Sequence, residues 1–257
     1  MPRVLPQFVP ILTSFAGRVS GRNLGQLLSS GAGLARALLD TQKVVGHDGV
    51  LCLFHTPLMA EACAESSSGP LRLRASEDVP RFGKMPVLLD AVRALRRQLP
   101  PHAMVFATFA GPSLLLSDLT KRQSGGDAPD SDYAGDVFLG MVRAAFDSEA
   151  QGIAVVEERL VEISPEVAST YRSANKLAEF YGAAQMVFHL PGAPGAGAST
   201  GAHCSFFLES GGDPCRLVAG TGAAGEPMPA TTAGDVPADI ALDRIKGLRE
   251  QVQSSGR

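Results

Sequence analysis

The segment "SPEVASTYRSANKLAEFYGAAQMVFHLPG", residues 164–192, holds one complete helix-to-strand unit. Ser164 supplies the side-chain oxygen that a helix start needs, Pro165 suits the first helical position, and Glu166 places a negative charge in the first turn. Gly182 closes the helix. Ala184–Leu190 then follows as a continuous apolar run, which is what a strand covered on both faces requires. The run ends in His189, Leu190, Pro191 and Gly192, so a titratable side chain stands at the carboxyl end of a buried strand.

The same unit recurs outward in both directions. Strands are expected at "QFVPILTSFAGR" (Gln7–Arg18), "GVLCLFHT" (Gly49–Thr56), "AMVFATFAG" (Ala103–Gly111) and "GIAVVEE" (Gly152–Glu158). Two weaker ones are "HCSFFLES" (His203–Ser210) and "CRLVAGTG" (Cys215–Gly222). Helices are expected at "GLARALLDTQKVV", with Leu34, Leu38, Leu39 and Val45 on one face, and at "MPVLLDAVRALRRQL", which stops at Pro100. Two more are "DVFLGMVRAAFDSEAQG", starting at an Asp136 cap, and the terminal "VPADIALDRIKGLREQVQS". Alternating strands and helices predict an α/β fold with a parallel sheet. At this length a (β/α)8 TIM barrel in one domain, residues 1–257, is the first expectation. The polar Lys121–Asp136 and the small-residue Pro191–His203 stretches read equally as lid loops or as solvated linkers.

Composition narrows the function classes. The chain has 257 residues, 45% hydrophobic and 19% charged, with a net charge of −3. That balance gives no electrostatic case for nucleic acid or an anionic membrane, and no apolar run reaches the roughly 20 residues of a spanning helix. The amino terminus lacks the continuous apolar stretch of a signal peptide. Cys52, Cys63, Cys204 and Cys215 show no paired spacing and read as reduced, mostly buried thiols, which points to the cytoplasm. Abundant Ala, Gly and Arg fit a bacterial gene of high GC content.

Five quoted pieces, in order, resemble the uroporphyrinogen decarboxylase family, which includes zinc-dependent methyltransferases acting on coenzyme M. They are "VPILTSFAGR", "ALLDTQKVVGHDGVLCLFHTPLMAEA", "MVFATFAGPSLLLSDL", "VRAAFDSEAQGIAVVEE" and "MVFHLPG". The resemblance implies a (β/α)8 barrel with its active site at the carboxyl ends of the strands, and it makes a homodimer an open expectation. Only about seven strands are legible here, so a strand missing or remodelled between Gly192 and Asp235 is expected.

The methyltransferase members hold zinc with a His-x-Cys pair and a distant cysteine. His189 matches the histidine, but Pro191 stands where the cysteine belongs. The expectation is therefore no metal and no cofactor, with zinc on a rebuilt set of His189, Cys204 and Cys215 as the alternative. The decarboxylase members hold substrate carboxylates with first-turn arginines. Arg18 matches the later of these, and the earlier falls on Ser14. His55 and Thr56 stand where the family has a polar residue and an aspartate. Thr56 carries no charge, so uroporphyrinogen itself is not the expected substrate.

Arg18, Arg22 and Thr56 are thus the expected substrate-binding residues, with His55, Glu157, Glu158 and His189 as proton carriers. A cation clamp with proton carriers suits a small carboxylated metabolite and metal-independent decarboxylation or related lyase chemistry. Bland alternatives stay open for each: surface pairing for the arginines, a turn role for His55, and a rim pair of Glu158 with Arg159. Methyl or alkyl transfer on rebuilt zinc, or a non-catalytic scaffold on a decayed barrel, are the competing functions.

Overall fold

The computed structural model describes residues 7–54, 57–65, 70–158, 164–190, 204–208, 213–220 and 229–255. In chain order the helices and strands are α1 (Thr13–Ser20), α2 (Leu24–Leu27), α3 (Gly31–Val45), β1 (Gly49–Cys52), α4 (Pro57–Cys63), α5 (Met85–Gln98), β2 (Met104–Ala110) and α6 (Pro112–Arg122). There follow α7 (Ser131–Asp147), β3 (Gly152–Glu157), α8 (Pro165–Tyr181), β4 (Ala184–His189), β5 (Cys204–Phe207), β6 (Leu217–Ala219), β7 (Ala230–Thr232) and α9 (Leu242–Ser255). A 3-10 turn, Ser76–Arg81, precedes α5.

Strands β1 to β5 form one five-stranded sheet in sequence order, and every neighbouring pair is parallel. The continuous apolar runs are explained by burial on both sides. Val50, Val105, Ala107, Ile153, Val155 and Val187 pack towards the helices. Leu51, Phe106, Ala154, Met186, Phe188 and Phe206 pack on the opposite face with Val9 and Ile11. Period-two alternation sorts the residues this way. At about 25 cal/mol per Å² of apolar surface removed from water, these two layers are the main source of stability.

The expected fold class holds as α/β with a parallel sheet, but the sheet does not close into a barrel among the described residues. Its edges are nevertheless approached. The Phe8 carbonyl accepts from the Asp48 and Gly49 amides at 3.1 Å each, beside β1. On its other side the same segment exchanges bonds with Ala230, Val9 N–H to Ala230 O at 2.9 Å and Ala230 N–H to Gln7 O at 2.7 Å. β7 pairs antiparallel with β6, a reversal that a regular parallel barrel does not contain.

Three sequence expectations need correction. The strand expected over Gln7–Arg18 is an extended segment with one bridge, Phe8 to Ala230, followed by helix α1. Phe15 and Ala16 bury one side of α1 while Ser14 and Arg18 stay exposed, and Asp235 from far along the chain stabilises its start. Helix α7 begins at Ser131, capped by the Asp130 carboxylate accepting from Tyr133 N–H at 2.8 Å, and α6 runs to Arg122, so the polar loop expected over Lys121–Asp136 shrinks to Gln123–Asp130. The terminal helix begins at Leu242, and Val236–Ala241 is irregular. The Ser164 cap and the Gly182 stop stand as expected, with Ser164 Oγ accepting from Val167 N–H at 3.3 Å. No helix among the described residues is long and apolar enough to cross a membrane.

Candidate functional site

A cavity of about 480 Å³ lies beyond the carboxyl end of β1. Its wall is built by Thr13, Ser14, Gly17, Arg18 and Arg22, by Phe54, and by Asp235 and Ala238 from the other end of the chain. The sequence brings these together through polar capping. Thr13 Oγ1 accepts the Phe54 amide at 2.9 Å, which ties the start of α1 to the second residue after β1. The Asp235 carboxylate accepts from Ser14 N–H at 3.1 and 3.2 Å and from Ser14 Oγ at 2.7 Å. A carboxylate at a helix amino terminus satisfies orphan amides and meets the positive end of the dipole. Burial raises the Asp235 pKa, and the bonds from Ser14 oppose that rise.

The two expected arginines share this cavity but differ in commitment. Arg18 donates through Nη1 to the carbonyls of Ala238 at 2.7 Å and Ile240 at 2.6 Å, and its guanidinium lies 5.2 Å from the Phe15 ring centroid. The Arg22 side chain is exposed and makes no hydrogen bond or ion pair with the described residues. It reaches over Gly33 in the first turn of α3. A cation beside the positive end of a helix dipole is an arrangement that an anion would relieve. His55 and Thr56 lie outside the described residues; His55 follows Phe54 directly in the sequence.

The expected proton carriers Glu157 and His189 take a different position. They are register partners at the ends of β3 and β4. Both are buried, Glu157 at 0% and His189 at 2% exposure. Alternation places them on the face that carries Val155 and Val187 towards the helices, rather than on the face of Phe188. Glu157 accepts from Leu114 N–H at 2.7 Å, Ser113 N–H at 3.2 Å, Glu158 N–H at 2.9 Å and Tyr171 Oη at 2.9 Å. Its carboxylate thus caps α6 and joins it to α8 through Tyr171. Burial pushes its pKa up to about 7, with these four bonds pulling the other way. Gly111 makes the approach possible, because a side chain there would overlap the Glu157 carboxylate and the Tyr171 hydroxyl.

Glu158 is half-buried and lines a second cavity of about 470 Å³ with Ser113, Ser117, Lys121 and Ser164. Arg159, its expected partner, lies outside the described residues, as does the Pro191–His203 stretch.

The alternative zinc set does not assemble. Cys204 is buried in the sheet-face layer with Phe206, and Cys215 in a separate layer with Phe8 and Phe15. Cys204 stands in register with Met186, three residues before His189. Among the described residues no three His, Cys, Asp or Glu side chains come together to hold a metal ion. His189, Cys204 and Cys215 therefore do not form a tetrahedral donor set with one another.

Asp235 was not among the expected site residues. It acts across 221 positions of sequence, and no local pattern around it marks a cap for a helix at the other end of the chain.

Comparison with known proteins bears on the frame that carries these groups. No family model matches the sequence, and no curated protein matches it. Among solved structures, a methyltransferase from Methanosarcina mazei superposes with a TM-score of 0.70 at 14% identity, over 100% of this chain and 96% of that one. The chain shares that methyltransferase's fold. Identity this low carries architecture and leaves the chemistry to the residues of the site.

Proposed function

We propose that the protein is an enzyme of uroporphyrinogen decarboxylase-like build that binds a small carboxylated metabolite in the Arg18–Arg22 cavity. The carrying observation is Arg22, a guanidinium on the cavity wall with no partner among the described residues, set over the first turn of α3. Its planar fork suits a carboxylate held by two parallel bonds. The frame is read as a barrel derivative in which the Gln7–Leu12 segment and the β6–β7 hairpin stand in for regular barrel strands. The fold of the Methanosarcina methyltransferase supports that reading.

The proposed reaction is metal-independent decarboxylation or a related lyase step. The bond from carbon to the carboxylate breaks, CO2 leaves, and the electron pair enters an acceptor group of the substrate. A protein acid then returns a proton to the carbon. His55, next in sequence to the cavity wall, is the candidate donor, and Asp235, a wall carboxyl whose pKa burial raises, is the second candidate. Glu157 and His189 are assigned to supporting the frame, and Glu158 to the neighbouring cavity. Methyl or alkyl transfer on zinc has no assembled donor set among the described residues.

One observation favours a second reading, a non-catalytic binding protein on the same frame. The sheet face opposite the helices is filled by side chains, with Phe188 stacked on Phe206 at 4.8 Å and against Phe54 at 5.6 Å. The two readings separate on turnover. A panel of di- and tricarboxylic acids is incubated with wild type, Arg22→Ala and His55→Ala, and CO2 release is followed. Release by wild type that both substitutions abolish supports the enzyme. Binding without release across the panel supports the scaffold.

A further inference from the structure

The segment Asp235–Ile240 runs along α1 from its first turn to its last. Asp235 is fixed at the first turn by Ser14, and the carbonyls of Ala238 and Ile240 are fixed at the last turn by Arg18. Ser14 and Arg18 are four residues apart and lie on one face of the helix. Beneath the segment, the Val236 amide bonds to Ile11 O at 2.9 Å, and the turn is closed by Ile240 N–H to Pro237 O at 3.3 Å. Ser14, Arg18, Asp235 and Ala238 all face the cavity that also holds Arg22.

We infer that Asp235–Ile240 is a strap latched by Arg18, and that a carboxylate bound in the cavity releases it by taking the Arg18 guanidinium from the two carbonyls. The latch rests on the anion-binding function proposed above. The exchange has a definite direction. A carboxylate adds to the guanidinium's hydrogen bonds a full Coulomb attraction and a bidentate geometry that a neutral carbonyl does not offer. Both bonds to the strap leave from Nη1, so a carboxylate that takes the Nη1–Nη2 edge of the fork frees both anchor points together. Arg22 has no competing partner among the described residues and takes the first grip on the anion. Arg18 then converts occupancy into strap release. Asp235 stays on Ser14, so the strap hinges at that end.

Hydrogen exchange read by mass spectrometry over residues 233–241 tests this, with citrate as a small polycarboxylate probe. Arg18→Met keeps the aliphatic stem and removes the donors. In wild type, saturating citrate is expected to speed exchange across the strap by about tenfold, while β1 to β4 stay unchanged. Arg18→Met is expected to show the fast rate without citrate and no further change with it. A strap that stays protected in a folded Arg18→Met protein refutes the latch even if citrate binds. Citrate that binds wild type with no change in strap exchange also refutes it, and leaves the Arg22 clamp standing. If citrate and the other acids of the panel fail to bind at all, the anion-binding function falls and the ligand-driven release falls with it. Circular dichroism of each variant establishes that it is folded.

Discussion

Replacing Glu157 with alanine tests the proposed role of this carboxylate as a support of the frame. Four donors lose their acceptor: the amides of Ser113, Leu114 and Glu158 and the hydroxyl of Tyr171. Two of those bonds, from Leu114 and Tyr171, are fully buried, so water cannot readily replace them. At ~1–3 kcal/mol per stranded buried donor, the loss is about 2–6 kcal/mol, partly offset because a buried carboxylate no longer has to be desolvated. A net destabilisation of about 3 kcal/mol is expected for Glu157→Ala, and about half that for Glu157→Gln, which keeps one oxygen. Urea unfolding at pH 5, below the folded pKa where most of the contribution is present, measures it as a shift in midpoint at unchanged slope. A double-mutant cycle with Tyr171→Phe isolates the shared bond, for which a coupling of about 1–2 kcal/mol is expected. The pH dependence has a definite sign. With a folded pKa of about 7 against 4.5 unfolded, folding takes up a proton between those values, so this group's contribution is full below pH 4.5 and is lost as pH rises through 7. The Gln variant removes that slope. A Glu157→Ala cost below about 1 kcal/mol with no coupling to Tyr171 would refute the reasoning.

Two further outcomes follow from other buried sites. His47 is held neutral, its pKa lowered to about 3 by burial and by the nearby Arg249 guanidinium. Its contribution is therefore complete above its unfolded value near 6.5 and disappears as pH falls towards 3; His47→Gln should flatten the acid limb of a plot of stability against pH by up to about 5 kcal/mol. Gly111→Ala places a methyl group against the Glu157 carboxylate and the Tyr171 hydroxyl, and should cost about 2 kcal/mol or more in urea unfolding, with no additive loss when combined with Glu157→Ala.

The strands of the parallel sheet were legible because burial on both faces writes itself as unbroken apolar runs. Val105–Ala110, Ile153–Val156 and Met186–Phe188 could be located to within a residue or two from hydrophobicity alone. Helix α8 was legible at both ends because Ser164 and Gly182 act locally. Helix α1 was not, since its start depends on Asp235, and its apolar stretch also fits a strand. Strand β7 was missed because three residues, Ala230–Thr232, are too short to show a period. Within the site, Arg18 and Arg22 were found as strand-end cations and do share a cavity. The face on which Glu157 and His189 lie follows from register, and a one-residue shift in parity reverses it.

The clamp at Arg22 is tested most directly by isothermal titration of citrate, and of the other di- and tricarboxylic acids in the panel, into wild type, Arg22→Ala and Arg22→Lys at low salt. A charge-assisted pair of ~1.5–3 kcal/mol predicts at least about tenfold weaker binding for the alanine variant. The lysine variant should fall between, because it keeps the charge and loses the fork. Equal affinity in wild type and Arg22→Ala, or no binding of any acid to wild type, would contradict the assignment of this cavity as the anion site.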